Sequence, residues 1–456
     1  MQNRKKIFKI GIIILFAVIG CYMLVSLYFI NHFYFGSQIN SISISGKTLE
    51  EVDEEVESIS KNYCLTIIGR DNIEDTILGK DIDLNYNIKN TVEEMKDNQN
   101  PLMWITTLFM DHSSKDRDGI NFNESKLDDI INKLCFFNDK NMVEPKDAII
   151  EIDNGEVKIV DEILGNKVDK NKIKNEIVNA IKEGESKIFI SDECYMFPKY
   201  MSTSSKILEA QSIIKRYLDT SINYNFINKK YTIDKKVISN WINVDMKYNV
   251  SINKDAVVKK VKEIAKMFDT VGIERQFKTA ENKIVKVSGG DYGWKIDTED
   301  EANSIIKLLE EGKGIEKEFC FEQSANVANQ NDIGNTYVEI NLSKQHLWFY
   351  ENGRLITEGD VVTGNLMNGC ATPSGVYKLD FKQKNATLRG DNYASFVNFW
   401  MPFNYGIGIH DASWRSCFGG QIYKTNGSHG CVNAPYNLAK TIYEKIKVGT
   451  PIICYY

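Results

Sequence analysis

Hydrophobic and polar positions divide this chain into stretches of different period. The first is a continuous apolar block, KIGIIILFAVIGCYMLVSLYFI, closed by Asn31. About twenty uncharged residues at 1.5 Å rise are enough to span a bilayer as a helix. Arg4, Lys5, Lys6 and Lys9 precede it, which predicts a cytoplasmic tail at 1–9, a transmembrane signal-anchor helix at 10–30 and export of everything after it. The following LYFINHFYF is too bulky for a small-x-small cleavage site, so the anchor is expected to stay attached.

Beyond the anchor the apolar positions recur at helical spacing, interrupted by short alternating runs, and the scheme occurs twice. NESKLDDIINKL begins at Asn123, and NKDAVVKKVKEIAKMF at Asn253. Gly165-Asn166-Lys167-Val168-Asp169 aligns with Gly293-Trp294-Lys295-Ile296-Asp297, 128 positions on. Each copy predicts an amphipathic helix, a hairpin with a Gly turn, an Asp cap and a second amphipathic helix ending at Gly184 or Gly312. The expected modules are α+β units at 36–200 and 201–325. Then QSANVANQNDIGN, residues 323–335, has the turn-rich character of a linker. After it the period becomes two: YVEINLSKQHLWFYENGRLITEGDVVTG alternates around Asn352-Gly353, a hairpin signal. More short strands follow in SGVYKLDF, SFVNFWMPF, YGIGIH and TPIICYY. One helix stands among them, with Pro435 at or near its first position and Leu438, Ile442 and Ile446 four apart. The fold class expected is an α+β multidomain ectodomain on one transmembrane helix, ending in a mainly β domain at 335–456.

Composition narrows the function. The chain has 456 residues, 43% of them hydrophobic and 26% charged, ordinary globular values, and a net charge of -6. That balance excludes a strongly basic nucleic-acid binder, although from Tyr337 onward 11 Lys and Arg face 8 Asp and Glu. Of nine cysteines, Cys21 lies in the anchor and the others are scattered without paired spacing, so no disulfide framework emerges.

Only five histidines occur, and two of them concentrate the chemistry. His410 ends YGIGIH, and NGSHGCVNAP, residues 426–435, places His429 two residues before Cys431. A cysteine attacks as thiolate and needs an imidazole nearby. His429 shares a face with Cys431 if the segment is extended, yet near neighbours on a strand are badly angled for proton transfer, which favours His410 from an adjacent strand. Gly430 allows positive φ and a close backbone approach, so the amides of Gly430 and Cys431 could converge on an oxyanion. The Pro435 helix start lies a few residues on, and its dipole is expected to lower the thiol pKa together with these amides.

His410 followed by Ser428-His429-Gly430-Cys431-Val432-Asn433 resembles the signature of the L,D-transpeptidase catalytic domain, the YkuD family. ATPSG, residues 371–375, resembles that family's Thr-Pro-x-Gly segment, and the opening hairpin is also similar. The resemblance covers about 335–456 and implies a β-sandwich with one helix, carrying the catalytic loop. It implies Cys431 as nucleophile, His410 as proton donor and acceptor, and the Asp411 backbone carbonyl as the group that orients the imidazole. His429, Gly430 and Cys431 would form the oxyanion hole, while Asn433 and Ser428 would shape the substrate pocket. No metal or cofactor is implied. The reaction implied joins donor and acceptor peptidoglycan stem peptides through a cysteinyl thioester, forming a cross-link between third-position residues in an enzyme open to carbapenem acylation. The duplicated module resembles the peptidoglycan-binding-like repeats that precede such domains. The partners expected are stem peptides and the cytoplasmic membrane through residues 10–30, with the C-terminal domains facing the wall.

Other readings fit the same residues. His410, Cys417, His429 and Cys431 are suitable zinc ligands, but their spacing is not that of a zinc motif. A Cys417–Cys431 disulfide would silence the thiol. An L,D-carboxypeptidase would use water as acceptor, and a wall-binding structural protein would carry the domain without turnover. Trp400, Phe399 and Phe403 serve as strand core or pocket lip, and Trp414 and Tyr423 stand in a loop able to cap a cleft.

Overall fold

The structure is a computed structural model that describes residues 2–40, 42–110, 112–114, 119–329, 331–390 and 393–456. The chain separates into two compact units, residues 1–149 with 159–204, and residues 150–158 with 205–456. The hairpin segment 150–158, read from sequence as part of the first module, therefore groups with the second unit. Of the polar loop 110–119, residues 111 and 115–118 lie outside the described residues.

In the first unit a helix runs over Gln2–Asn31. Within its Arg4–Asn31 stretch an 18-residue window has a mean hydropathy of 2.7, and the helix is long and apolar enough to cross a membrane, a property shared by anchors and signal sequences. Behind it, strand Cys64–Ile68 pairs antiparallel with Glu74–Leu78 and parallel with Lys187–Phe189. The second unit repeats this pattern: Ile222–Phe226 pairs antiparallel with Lys229–Ile233 and parallel with Ile315–Lys317. In both, the parallel strand follows a 14-residue helix, Lys170–Glu183 or Thr298–Glu311. Asp169 and Asp297 cap these helices by accepting from two backbone N–H groups each, and Gly184 and Gly312 end them in the left-handed region at φ 72° and 70°. The apolar helical stripe, Ile173, Ile177 and Ile181 in one copy and Ile305 and Leu309 in the other, packs into the module core.

The C-terminal domain holds two sheets. Its strands are β1 (Tyr337–Asn341), β2 (His346–Glu351), β3 (Arg354–Asp360), β4 (Gly375–Lys378), β5 (Gln383–Gly390), β6 (Tyr393–Asn404), β7 (Ile407–Asp411), β8 (Val432–Ala434) and β9 (Pro451–Tyr455). The helices are α1 (Ile422–Asn426) and α2 (Tyr436–Lys445). One sheet runs β3-β2-β1-β9-β4 and the other β5-β6-β7-β8. Side chains from both, including Val338, Phe349, Met401, Ile409 and Val432, meet Leu438 and Ile442 of α2 in one core. The alternation seen in the sequence is what lets each sheet send one face inward.

The segment 323–335 is packed rather than loose. Asp332 is 1% exposed, as is its partner Arg275. The guanidinium meets both carboxylate oxygens at 2.7 and 2.9 Å, Thr270 donates to the same carboxylate, the backbone carbonyls of Thr270 and Tyr292 also accept from Nη2, and that of Ile273 accepts from Nη1. Buried polar partners recruited from the repeat, invisible to a local reading of turn-rich residues, make this stretch part of the second unit. Nearby, residues 289–292 cover the free edge of β4: Tyr292 N–H donates to Val376 O and Val376 N–H to Gly289 O. Gly290 sits at φ +83° there, and a Cβ on it would lie 2.0 Å from Val376 O.

Removing one member of a fully buried ion pair leaves the other uncompensated. Asp332→Ala is expected to destabilise the second unit by about 3–5 kcal/mol, read by urea unfolding of the full chain. The double change Arg275→Met with Asp332→Leu should recover much of that loss; an equal loss in both would show that the pair's charge balance is not what matters.

Candidate active site

Parallel pairing of β7 with β8 sets His410 beside Asn433, with Ile409 beside Val432 and Asp411 beside Ala434. Paired residues on adjacent strands point to the same face, and so do residues two apart on one strand. Cys431, two before Asn433, therefore shares the face of His410. Both line a cleft of about 170 Å³ with Asn433, Trp414, Arg415, Ser428 and His429. On the other side of β8, Asn433 exchanges two backbone hydrogen bonds with Val362, at 2.9 and 2.8 Å.

The imidazole is fixed at both nitrogens. Nδ1 of His410 lies 2.9 Å from the Asp411 carbonyl oxygen and Nε2 lies 3.1 Å from Nδ2 of Asn433. Arg415 Nε donates to Asn433 Oδ1 at 3.0 Å. A guanidinium can only donate, so the Asn433 atom facing it is the oxygen and the amide NH₂ faces His410. Nε2 accordingly accepts and Nδ1–H donates to Asp411 O, which makes the ring neutral. Burial also holds His410 below the ordinary imidazole range, and the positive charge of Arg415 acts in the same direction. The Asp411 carboxylate has its own task, accepting from Asn398 Nδ2 at 2.7 Å and Phe399 N–H at 2.8 Å, which ties β7 to β6.

Cys431 is 9% exposed, with its thiol 3.5 Å from the Gly406 carbonyl oxygen. Burial pushes the thiol up to about 11, and the Gly408 backbone offsets only part of this. The expectation of a lowered thiol pKa is thus overturned. Residues 432–434 are a strand, and α2 begins only at Tyr436 with Pro435 as its cap; a helix dipole fades beyond the first turn.

The turn before Cys431 is held by its own side chains. Ser428, expected to contact substrate, accepts the Gly430 N–H at 3.1 Å and donates to the Cys431 carbonyl. The Gly430 amide is therefore engaged in the turn rather than turned outward. Gly430 has φ +121°, a conformation that favours glycine, and a Cβ on it would press on the Ile407 side chain at 3.1 Å. Thr372, in ATPSG, donates to the Gly430 carbonyl at 2.6 Å and accepts from Gly364 N–H. Because C=O and N–H oppose each other across a trans peptide, this bond directs the Cys431 N–H away from Thr372. His429 is exposed on the cleft wall.

Sequence reasoning did not single out Arg415 or the task of Thr372. Arg415 lies in an irregular loop without periodicity, and only its place beside Asn433 marks it. Trp400 and Trp414 both stand with ring centroids 5.9 Å from His410. Trp400 is buried and Trp414 half exposed, whereas Tyr423 is buried and is not among the residues lining the cleft. All nine cysteines stand as free thiols in the structure, with Cys417 exposed and Cys431 buried. Among the described residues no three His, Cys, Asp or Glu side chains converge as a metal site.

Comparison with known proteins gives these elements a context. The profile of the L,D-transpeptidase catalytic domain, YkuD, matches residues 335–454. That of the peptidoglycan binding domain family PG_binding_4 matches twice, at 76–189 and 201–316. Curated protein sequences yield no significant match. Among solved structures, a cysteine-to-serine mutant of Enterococcus faecium L,D-transpeptidase is 29% identical over 54% of this chain and 100% of its own, with a TM-score of 0.45. The ertapenem-acylated catalytic domain of the E. faecium enzyme is 40% identical over 27% of this chain and 98% of its own, with a TM-score of 0.25. An L,D-transpeptidase from Stackebrandtia nassauensis is 28% identical over 27% of this chain and 56% of its own, with a TM-score of 0.23. With a catalytic-domain match that contains His410, Cys431 and the cleft between them, behind two peptidoglycan-binding matches, the chain belongs to the YkuD-type L,D-transpeptidase family.

Proposed function

We propose that the protein cross-links peptidoglycan through a cysteinyl thioester, joining third-position residues of two stem peptides. The observation that carries this reading is that Cys431 and His410 share one sheet face and one cleft. In the proposed cycle His410 Nε2 takes the Cys431 thiol proton as sulfur attacks the carbonyl of the third stem residue. The proton then passes to the departing amine of the terminal D-amino acid. The side-chain amine of a second stem attacks the thioester, gives its proton to His410, and the thiol is restored. The Cys431 N–H, directed by Thr372 through the Gly430 carbonyl, is the first donor to the oxyanion, and His429 and Asn433 shape the walls around it.

The neutral thiol–imidazole pair makes the proton transfer substrate-coupled rather than pre-completed. Asn433 has to withdraw its NH₂ from Nε2 before that nitrogen can accept the thiol proton. In the same reading residues 10–30 anchor the chain in the membrane with 1–9 cytoplasmic. The modules at 36–200 and 201–325 hold the catalytic domain at 335–456 within the wall, and the peptidoglycan-binding matches are what support that placement.

Incubation of the full chain in detergent with tetrapeptide muropeptides should give dimers with loss of a terminal D-Ala by mass spectrometry. Tripeptide alone would make water the acceptor, and absence of any reaction would leave a binding role. Cys431→Ala should abolish turnover and remove the mass adduct of a carbapenem, whereas His410→Ala should lower turnover by about 10²–10⁴. A pH series tests the resting state. Because the folded thiol stands at about 11, Cys431 alkylation by iodoacetamide should be slow at pH 7 and still be rising above pH 9. The acid limb of kcat/KM should fall below the ordinary histidine range, as the depressed His410 stays neutral there. Full alkylation rate already at pH 7 would establish a thiolate at rest.

A further inference from the structure

Arg415 is the one residue lining the cleft with a permanent charge, and no Asp or Glu lines it among the described residues. Its guanidinium is half-buried, with Nε on Asn433 Oδ1 and Nη1 on the Asn426 carbonyl at 2.9 Å. Both partners are neutral, and no carboxylate stands within ion-pair distance of it among the described residues. Nη2 has no acceptor there either. A guanidinium taken partly out of water without a counter-ion is costly, and burial alone lowers its pKa. Its planar fork suits a carboxylate better than any other anion in a peptide.

The geometry points to Arg415 as the binding site for the free terminal carboxylate of the donor stem peptide. This rests on the transpeptidase reading above. The carboxylate belongs to the residue that leaves, one residue beyond the scissile carbonyl, and a residue spans at most about 3.6 Å. A donor held at Arg415 thus has its reacting carbonyl within the same cleft as Cys431. The acceptor brings an amine, which in its ammonium form the guanidinium repels, so one fixed charge sorts the two substrates. Carboxylate binding also draws Arg415 from Asn433. The asparagine is then free to turn and take its NH₂ from His410 Nε2, which links donor arrival to release of the base.

The test compares a disaccharide tetrapeptide with a free terminal carboxylate and the same compound as its terminal carboxamide, using the full chain in detergent. The unaltered protein should favour the acid by about ten- to a hundredfold in kcat/KM, mostly through KM, as expected for a hydrogen bond between charged groups. Arg415→Gln should collapse that ratio toward one, and Arg415→Lys should restore part of it. Equal use of acid and amide by the unaltered protein, or an undiminished preference in Arg415→Gln, overturns the assignment. So does an equal loss of both donors in Arg415→Gln, which would make the residue a brace for Asn433 alone. Failure of the unaltered protein to turn over either donor overturns the transpeptidase reading as well.

Discussion

The three-residue parallel ladder between β7 and β8 is the constraint on which the site rests. Parallel strands with one residue opposite one admit no half-steps, and a slip by one would turn Cys431 and Asn433 to the opposite face. The ladder is short, so it is guarded from several directions. Val362 closes the outer edge of β8, Asp411 ties β7 to β6, and Thr372 grips the carbonyl of Gly430. Each guard is a hydrogen bond to backbone, which fixes position without occupying the cleft.

Burial and hydrogen-bond polarity, more than charge, decide the chemistry of the resting site. A helix dipole contributes about 0.3–1 kcal/mol at its first turn. Raising the thiol from 9.0 to about 11 corresponds to about 3 kcal/mol against the thiolate, so desolvation wins even before the distance to α2 is counted. The donor-only nature of arginine then runs through Asn433 to His410 and ends on a backbone carbonyl. Four residues thereby agree on one protonation state.

Much of this was legible in the sequence because it is local or periodic. The apolar block at 10–30, the Asp and Gly ends of the repeated helices, the Asn352-Gly353 hairpin and the glycine before Cys431 each follow from the residues at the spot. That His410 would be brought from an adjacent strand to the side of Cys431 also follows from strand geometry. What could not be read depends on distant partners. The burial of Cys431 needs both sheets in place, the three-residue strand that separates it from α2 is too short to show a period, and Asp332 is anchored by an arginine 57 positions earlier. Ser428 lines the cleft as its place beside the nucleophile suggests, but the hold of its hydroxyl on the turn depends on the fold of 428–431 and is not legible from the residue alone.

At Gly290 the backbone lies so close to Val376 that no side chain fits between them. Because Gly289 and Tyr292 on either side also supply the outer hydrogen bonds of β4, the second repeat and the catalytic sheet meet backbone to backbone. A substitution at position 290 would therefore strip that strand of its partners and leave an open edge for other chains to pair with.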